Sequence, residues 1–228
     1  MPPIISYPLI LVNLKTYSEA MGKKAVELAE TAEKVHNETG VCIAVAPQTV
    51  NIPPIIKATG IPVFAQHVDP VGYGKYTGHI LPEAMAEAGC AGTLISHSER
   101  KLELEIIKAT IGVAKEAGLT QVVCVDTIAR GRQVAPFSPD AIAIEPPELI
   151  GTGTPVSKAK PEIVSGSVEE VHKVNPNIKV LCGAGITSGE DVTAALSLGA
   201  EGVLVASGVV KAESPYEKLL ELANAMNA

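Results

Sequence analysis

The 228-residue sequence has no apolar run long enough to span a bilayer, no CxxC pairing among its four cysteines, no low-complexity tract and no long block of like charge. Each absence removes a class of protein. Residues Met1 to Pro8 lack the basic flank and sustained apolar stretch of a secretory signal, so a cytoplasmic location is expected. A net charge of −7 and a pI near 5.3 leave no broad basic surface for nucleic acid or an anionic membrane, and any anionic substrate must be held by local groups. At 19% charged residues, the ion-pair enrichment typical of hyperthermophiles is also missing. Cys42, Cys124 and Cys182 sit inside strand-like apolar runs, where a thiol acts as a small hydrophobe. With Cys90, all four are expected to be reduced and structural.

What is present is apolar material in a regular order. Hydrophobic residues make up 46% of the chain, ample for a buried core. Eight short runs read as strands: Leu9 to Leu14, Val41 to Ala46, Ile61 to Gln66, Gly92 to Ser96, Gln121 to Val125, Ala141 to Ile144, Ile178 to Cys182 and Gly202 to Ala206. They are nearly continuous in apolar character rather than alternating, as parallel strands covered on both faces are.

Helical patterns separate the runs, one with Ala25, Leu28, Ala29, Ala32 and Val35 on a face, another with Leu102, Ile106, Ala109, Val113 and Ala117. Ser167, Thr187 and Ser214 each precede a glutamate at capping-box spacing, and Pro215 suits a first helical turn. Gly40, Gly89, Gly118 and Gly199 fall where helices should stop. Repetition of strand and helix along the chain predicts one α/β domain over residues 1–228, closed as a single (β/α)₈ barrel. An open doubly wound sheet would place a glycine-rich phosphate turn after the first strand, which instead ends in Asn13-Leu14-Lys15.

Barrels of this type carry their chemistry at the C-terminal ends of the strands. Strand one delivers Asn13 and Lys15, strand four Ser96, His97, Ser98 and Glu99, and strand six Glu145. Strands seven and eight deliver small residues, Gly183-Ala184-Gly185 and Ala206-Ser207-Gly208, whose bare N–H groups near helix starts suit a phosphate dianion. Taken alone, such glycines serve equally well as tight turns. Of the five histidines, His36 and His172 fall in helical stretches rich in solvent-type residues, whereas His97 follows Leu94-Ile95 and is expected to open the next helix. A helix N-terminus disfavours imidazolium, leaving a neutral ring able to donate a hydrogen bond. Glu145 precedes Pro146 to Pro155, a segment with stiff ends and a permissive middle, as a water-excluding lid has.

Four motifs in this order, Asn13-Leu14-Lys15, His97-Ser98-Glu99-Arg100, Glu145 with Ile150-Gly151-Thr152-Gly153, and Gly183-Ala184-Gly185-Ile186, resemble triosephosphate isomerase over essentially the whole chain, most closely its shorter archaeal branch. The resemblance implies a TIM barrel that interconverts dihydroxyacetone phosphate and D-glyceraldehyde 3-phosphate. It implies that Glu145 takes the proton between C1 and C2, that His97 polarises the carbonyl, and that Lys15 supplies positive charge. Asn13 would orient the substrate oxygen, with Ser98 and Glu99 in support. Backbone N–H groups at Ile150, Gly151, Gly185, Ala206 and Ser207 would hold the phosphate, with no metal or organic cofactor.

The chain departs from the family where Glu148 replaces a common Trp in the lid's first hinge and Gly185 a common Ser. The segment His67 to His79 matches the family's third loop, which enters a neighbouring subunit. Thr77 would then support the neighbour's site, implying a homo-oligomer, a tetramer as in archaeal relatives or a dimer. Two other readings share the fold: a sugar-phosphate epimerase using the same phosphate loops, and a non-enzymatic triose-phosphate-binding protein. Neither needs this Lys, His and Glu set.

Overall fold

Every apolar run contains a strand. The computed structural model describes residues 2–146 and 156–228. The strands are β1 (Leu9–Asn13), β2 (Cys42–Ala46), β3 (Phe64–Ala65), β4 (Gly92–Ile95), β5 (Thr120–Val125), β6 (Ala141–Ile144), β7 (Lys179–Cys182) and β8 (Gly202–Val205). Their order in the sheet is β2-β1-β8-β7-β6-β5-β4-β3, all neighbours parallel, and a bridge between Val45 and Val63 brings the two ends together. A nearly closed parallel barrel results.

Between and after the strands lie α1 (Lys23–Thr39), α2 (Ile52–Ala58), α3 (Pro82–Glu87), α4 (Leu104–Glu116), α5 (Ile128–Val134), α6 (Val156–Ala159), α7 (Pro161–Val174), α8 (Gly189–Ser197), α9 (Ser207–Val210) and α10 (Pro215–Met226). Strand residues point alternately in and out. Leu9, Leu11, Ala44, Phe64, Leu94, Val122, Ala141, Ala143, Leu181 and Leu204 share one inner cluster. Ile10, Val12, Ile43, Val203 and Val205 face the helices instead. The barrel is therefore filled below its mouth, and its chemistry is expected on top.

Helix α1 buries Ala25, Leu28, Ala29, Ala32 and Val35, the stripe its spacing predicts, and ends at Gly40 in the left-handed region. Helix α4 does not follow its predicted stripe. Its buried residues are Ile107, Thr110, Ile111 and Ala114, while Ile106 is 41% exposed and Leu102 lies outside the helix. Thr110 hides the true face in the sequence, yet its hydroxyl donates to the Ile106 carbonyl at 2.7 Å and so is buried at little cost.

Two capping expectations also change. Ser167 lies fully buried inside α7, which Pro161 opens, and the box at α8 pairs Ser188 with Asp191 rather than Thr187 with Glu190. Ser214 caps α10 as predicted, its side chain accepting the Glu217 N–H. His36 and His172 each lie against a carbonyl near the following strand, Val41 at 2.7 Å and Ile178 at 3.0 Å. All four cysteines are free and buried, and burial pushes Cys90 up to about 11 and Cys182 up to about 12.

The face of α4 is testable by truncation. Ile107→Ala should lower stability by about 2–5 kcal/mol and Ile106→Ala by no more than roughly 0.5 kcal/mol, measured by urea unfolding. Equal losses would restore the stripe through Ile106.

Candidate active site

Alternation along the strands decides which side chains reach the barrel mouth. In β1, inward Leu9 and Leu11 are followed two residues later by Asn13; in β6, Ala141 and Ala143 are followed by Glu145. Both polar residues are buried, at 4% and 6% exposure. The Asn13 side chain accepts the Lys15 backbone N–H at 3.0 Å, helping to hold Lys15 at φ 46°, a left-handed conformation that costs a non-glycine residue of order 1–3 kcal/mol. The Lys15 side chain is only 10% exposed and its ammonium lies 2.7 Å from Glu99.

Strand β4 ends at Ile95, and His97 caps a single 3₁₀ turn, Ser98–Arg100, rather than opening α4 itself. The Glu99 N–H donates to His97 Nδ1 at 3.2 Å. A nitrogen that accepts holds no proton, so the neutral ring carries its hydrogen on Nε2 and can donate from there. That atom lies 3.4 Å from Glu145 Oε2. Both atoms are buried, and neither has a hydrogen-bond partner among the described residues. Burial pushes the Glu145 carboxyl above its ordinary value, opposed by His97, by a hydrogen bond from the Cys124 thiol and by Lys15.

Beside this pair, one recess brings together Asn13, Lys15, His97, Glu145, Gly185, Ala206 and Ser207, along with Ile186 and Thr187. Gly183 sits under Glu145: a Cβ there would lie 3.2 Å from Glu145 Cγ and 2.9 Å from the Leu204 carbonyl. Ser98 is half-buried with its hydroxyl unpartnered among the described residues, whereas Thr77 is exposed and lines none of the recesses at the barrel mouth. Ile150 and Gly151 lie outside the described residues, as does the Glu148 hinge. Among the described residues no group of three or more His, Cys, Asp or Glu is placed to hold a metal ion.

Gln66 is a site residue that sequence reading passed over. Its side-chain amide donates to the Lys15 carbonyl at 3.0 Å and the Ala46 carbonyl at 2.9 Å, and lies 3.4 Å from Asn13 Oδ1. Lys15 is thus gripped at its N–H by Asn13 and at its C=O by Gln66. The available signal was parity, since Phe64 points inward and Gln66 is two residues on.

A buried carboxylate with one free oxygen facing an imidazole nitrogen suits moving a proton from a carbon beside a carbonyl, and the fold and site together define a barrel isomerase. Comparison with known proteins gives the particular family. The triosephosphate isomerase family model matches residues 8–226. Triosephosphate isomerase of Methanocaldococcus jannaschii is 55% identical over 94% of this chain and 98% of its own length, and that of Methanosarcina barkeri 51% identical over 94% and 97%. A solved triosephosphate isomerase from Bartonella henselae has the same fold, with a TM-score of 0.78 at 20% identity over 97% of this chain and 99% of its own. The chain belongs to the triosephosphate isomerase family, and its activity is the interconversion of dihydroxyacetone phosphate and D-glyceraldehyde 3-phosphate, a step of glycolysis and gluconeogenesis.

The raised Glu145 value carries a stability consequence. The fold disfavours the ionised form, so Glu145 costs nothing below the ordinary carboxylate range, and stability falls as pH rises from there through the raised value. Glu145→Gln should therefore melt higher than wild type at neutral pH, with the difference fading under acid. Thermal melts across pH check this, and an equal or lower neutral-pH melting temperature refutes it.

Proposed function

We propose that Glu145 is the base of the isomerisation and His97 its electrophile. The carrying observation is the pair of buried, unpartnered atoms, Glu145 Oε2 and His97 Nε2, 3.4 Å apart at the barrel mouth. Glu145 takes the proton from the carbon next to the carbonyl. His97 donates from Nε2 to the oxygen on which charge develops, then helps move protons between the two oxygens of the enediolate. Lys15 brings positive charge to the same recess, held in its turn by Asn13 and Gln66, while Glu99 fixes both the His97 ring through its N–H and the Lys15 ammonium through its carboxylate. Ser98 adds a hydroxyl to a cavity that it lines together with Glu145.

Backbone donors at Gly185, Ala206 and Ser207, joined by Ile150 and Gly151, hold the phosphate. Supporting the first three are the recess that Gly185, Ala206 and Ser207 share with Lys15 and the short helices α8 and α9 that begin just beyond. No metal or organic cofactor enters the reaction, and the working location is the cytoplasm. No helix among the described residues is long and apolar enough to cross a membrane.

The active form is a homo-oligomer in which the loop after Gln66 enters a second copy. Asp69 closes the loop's neck, its N–H donating to the Ile80 carbonyl at 2.9 Å and its carboxylate accepting the Ile80 N–H at 2.6 Å. Beyond the neck, Tyr73 is 79% and Tyr76 47% exposed, with Thr77 between them and the neck's far side. A second recess, lined by Asn13, Lys15, Gln48, Val50, Glu99 and Arg100, opens on the flank of the site and would receive such a loop, bringing Thr77 to Lys15 and Glu99. A tetramer is the expected form. Light scattering on the purified protein should give a multiple of one chain's mass, and a fully active monomer would refute the loop's role.

Glu145→Asp keeps the carboxylate but withdraws it by one methylene. Misplacing a base by about 1 Å costs on the order of 10²-fold, so kcat should fall by that much while affinity for the substrate, resting on the phosphate loops, changes little. Steady-state kinetics with glyceraldehyde 3-phosphate measure both. Turnover near wild type removes Glu145 from the role of base.

A further inference from the structure

Behind the phosphate loops lies a buried carboxylate that the chemistry above does not use. Asp191, in the first turn of α8, is 2% exposed. Its Oδ2 accepts three hydrogen bonds from the loop after β7: the Thr187 N–H at 3.0 Å, the Thr187 hydroxyl at 3.2 Å and the Ser188 N–H at 3.0 Å. A helix cap needs only one of these. The extra bonds take hold of Thr187, which lines the recess assigned to the phosphate.

The other side of the same peptide is also fixed. The Ile186 carbonyl, whose carbon carries the Thr187 nitrogen, lies 2.7 Å from where a Cβ on Gly208 would stand. Only a glycine at 208 allows that approach, and Gly208 directly follows the phosphate donor Ser207. The Ile186–Thr187 peptide is thus clamped between Asp191 on its N–H side and the α9 backbone on its carbonyl side.

We propose that Asp191 is a positioning residue for phosphate recognition, acting with Gly208 to fix the separation of the Gly185 and Ser207 donors. The proposal rests on the phosphate assignment made above. An ionised acceptor makes hydrogen bonds about twice as strong as a neutral one. Asp191→Asn, which keeps the shape, should therefore weaken the clamp, and Asp191→Leu should abolish it.

Inorganic phosphate, tested as a competitive inhibitor against glyceraldehyde 3-phosphate, reads the loops directly. In Asp191→Leu its inhibition constant should rise roughly ten-fold, the equivalent of one good hydrogen bond lost to the phosphate, and KM should rise more than kcat falls. Asp191→Asn should show a smaller rise in the same direction and reads the same quantity should the leucine variant not fold. Gly208→Ala should raise both constants from the opposite side of the clamp. Ser188→Ala is the control, since its hydroxyl caps the Asp191 N–H at 3.3 Å without touching Thr187. It should lower the melting temperature and leave phosphate inhibition unchanged.

Competitive inhibition of wild type with unchanged constants in both Asp191 variants overturns this proposal alone. So does a Ser188→Ala effect on inhibition as large as that of Asp191→Leu, which would make helix capping the cause. Wild type that phosphate does not inhibit competitively overturns the phosphate assignment, and the proposal falls with it.

Discussion

Closure of eight parallel strands forces every strand to finish at the same mouth, and the rest of the structure depends on that constraint. Residues distant in sequence, Asn13, Gln66, His97, Glu145, Gly183 and Ala206, arrive together because each follows the last inward residue of its strand or sits just past it. The packed inner cluster supplies a dry floor beneath them. Side chains on that floor are anchored in ladder backbone, which is why a carboxylate and an imidazole can be held 3.4 Å apart without bonding each other.

That arrangement is expensive in isolation. A buried carboxylate with one oxygen unpartnered is unfavourable, and so is a lysine at φ 46°. The fold tolerates both because the surrounding contacts over-determine them: the side chains of Asn13, Gln66 and Glu99 converge on Lys15, and Glu145 is rooted by its own N–H on the Val125 carbonyl at 2.8 Å. Local instability of this kind marks where the reaction, not the core, shaped the sequence.

The strands and the polar residues at their ends were readable because they depend on short-range patterns. Apolar runs give strand positions, and the polar residue ending each run is conspicuous, as Glu145 is after Ala141-Ile142-Ala143-Ile144. What escaped depends on contacts that no pattern encodes. The buried face of α4 was misread because Thr110 counts as polar until its hydroxyl is seen on the Ile106 carbonyl. Ser167 resembled a cap because serine three residues before glutamate has two meanings, and only Pro161 decides where α7 begins. Gln66 was visible as the end of a run, but its three acceptors come from two other strands and their loops. Asp191 was hidden by a one-residue shift in the capping box, from Thr187 and Glu190 to Ser188 and Asp191.

The electrostatics of the mouth follow from the same economy of charge. A chain of net charge −7 must bind a dianion, yet Lys15, the cation placed in the recess, is already paired with Glu99. On the phosphate assignment proposed above, much of the attraction then falls to oriented backbone N–H groups in the loops after β7 and β8, which carry partial positive charge without a counter-ion. Such donors are worth having only if their directions are fixed before the ligand arrives, because a loop that must be ordered on binding loses affinity to its own entropy. A phosphate site without arginine thus demands rigid loops. Under the proposed assignment, a carboxylate with three bonds and a glycine with no room for a Cβ serve that demand.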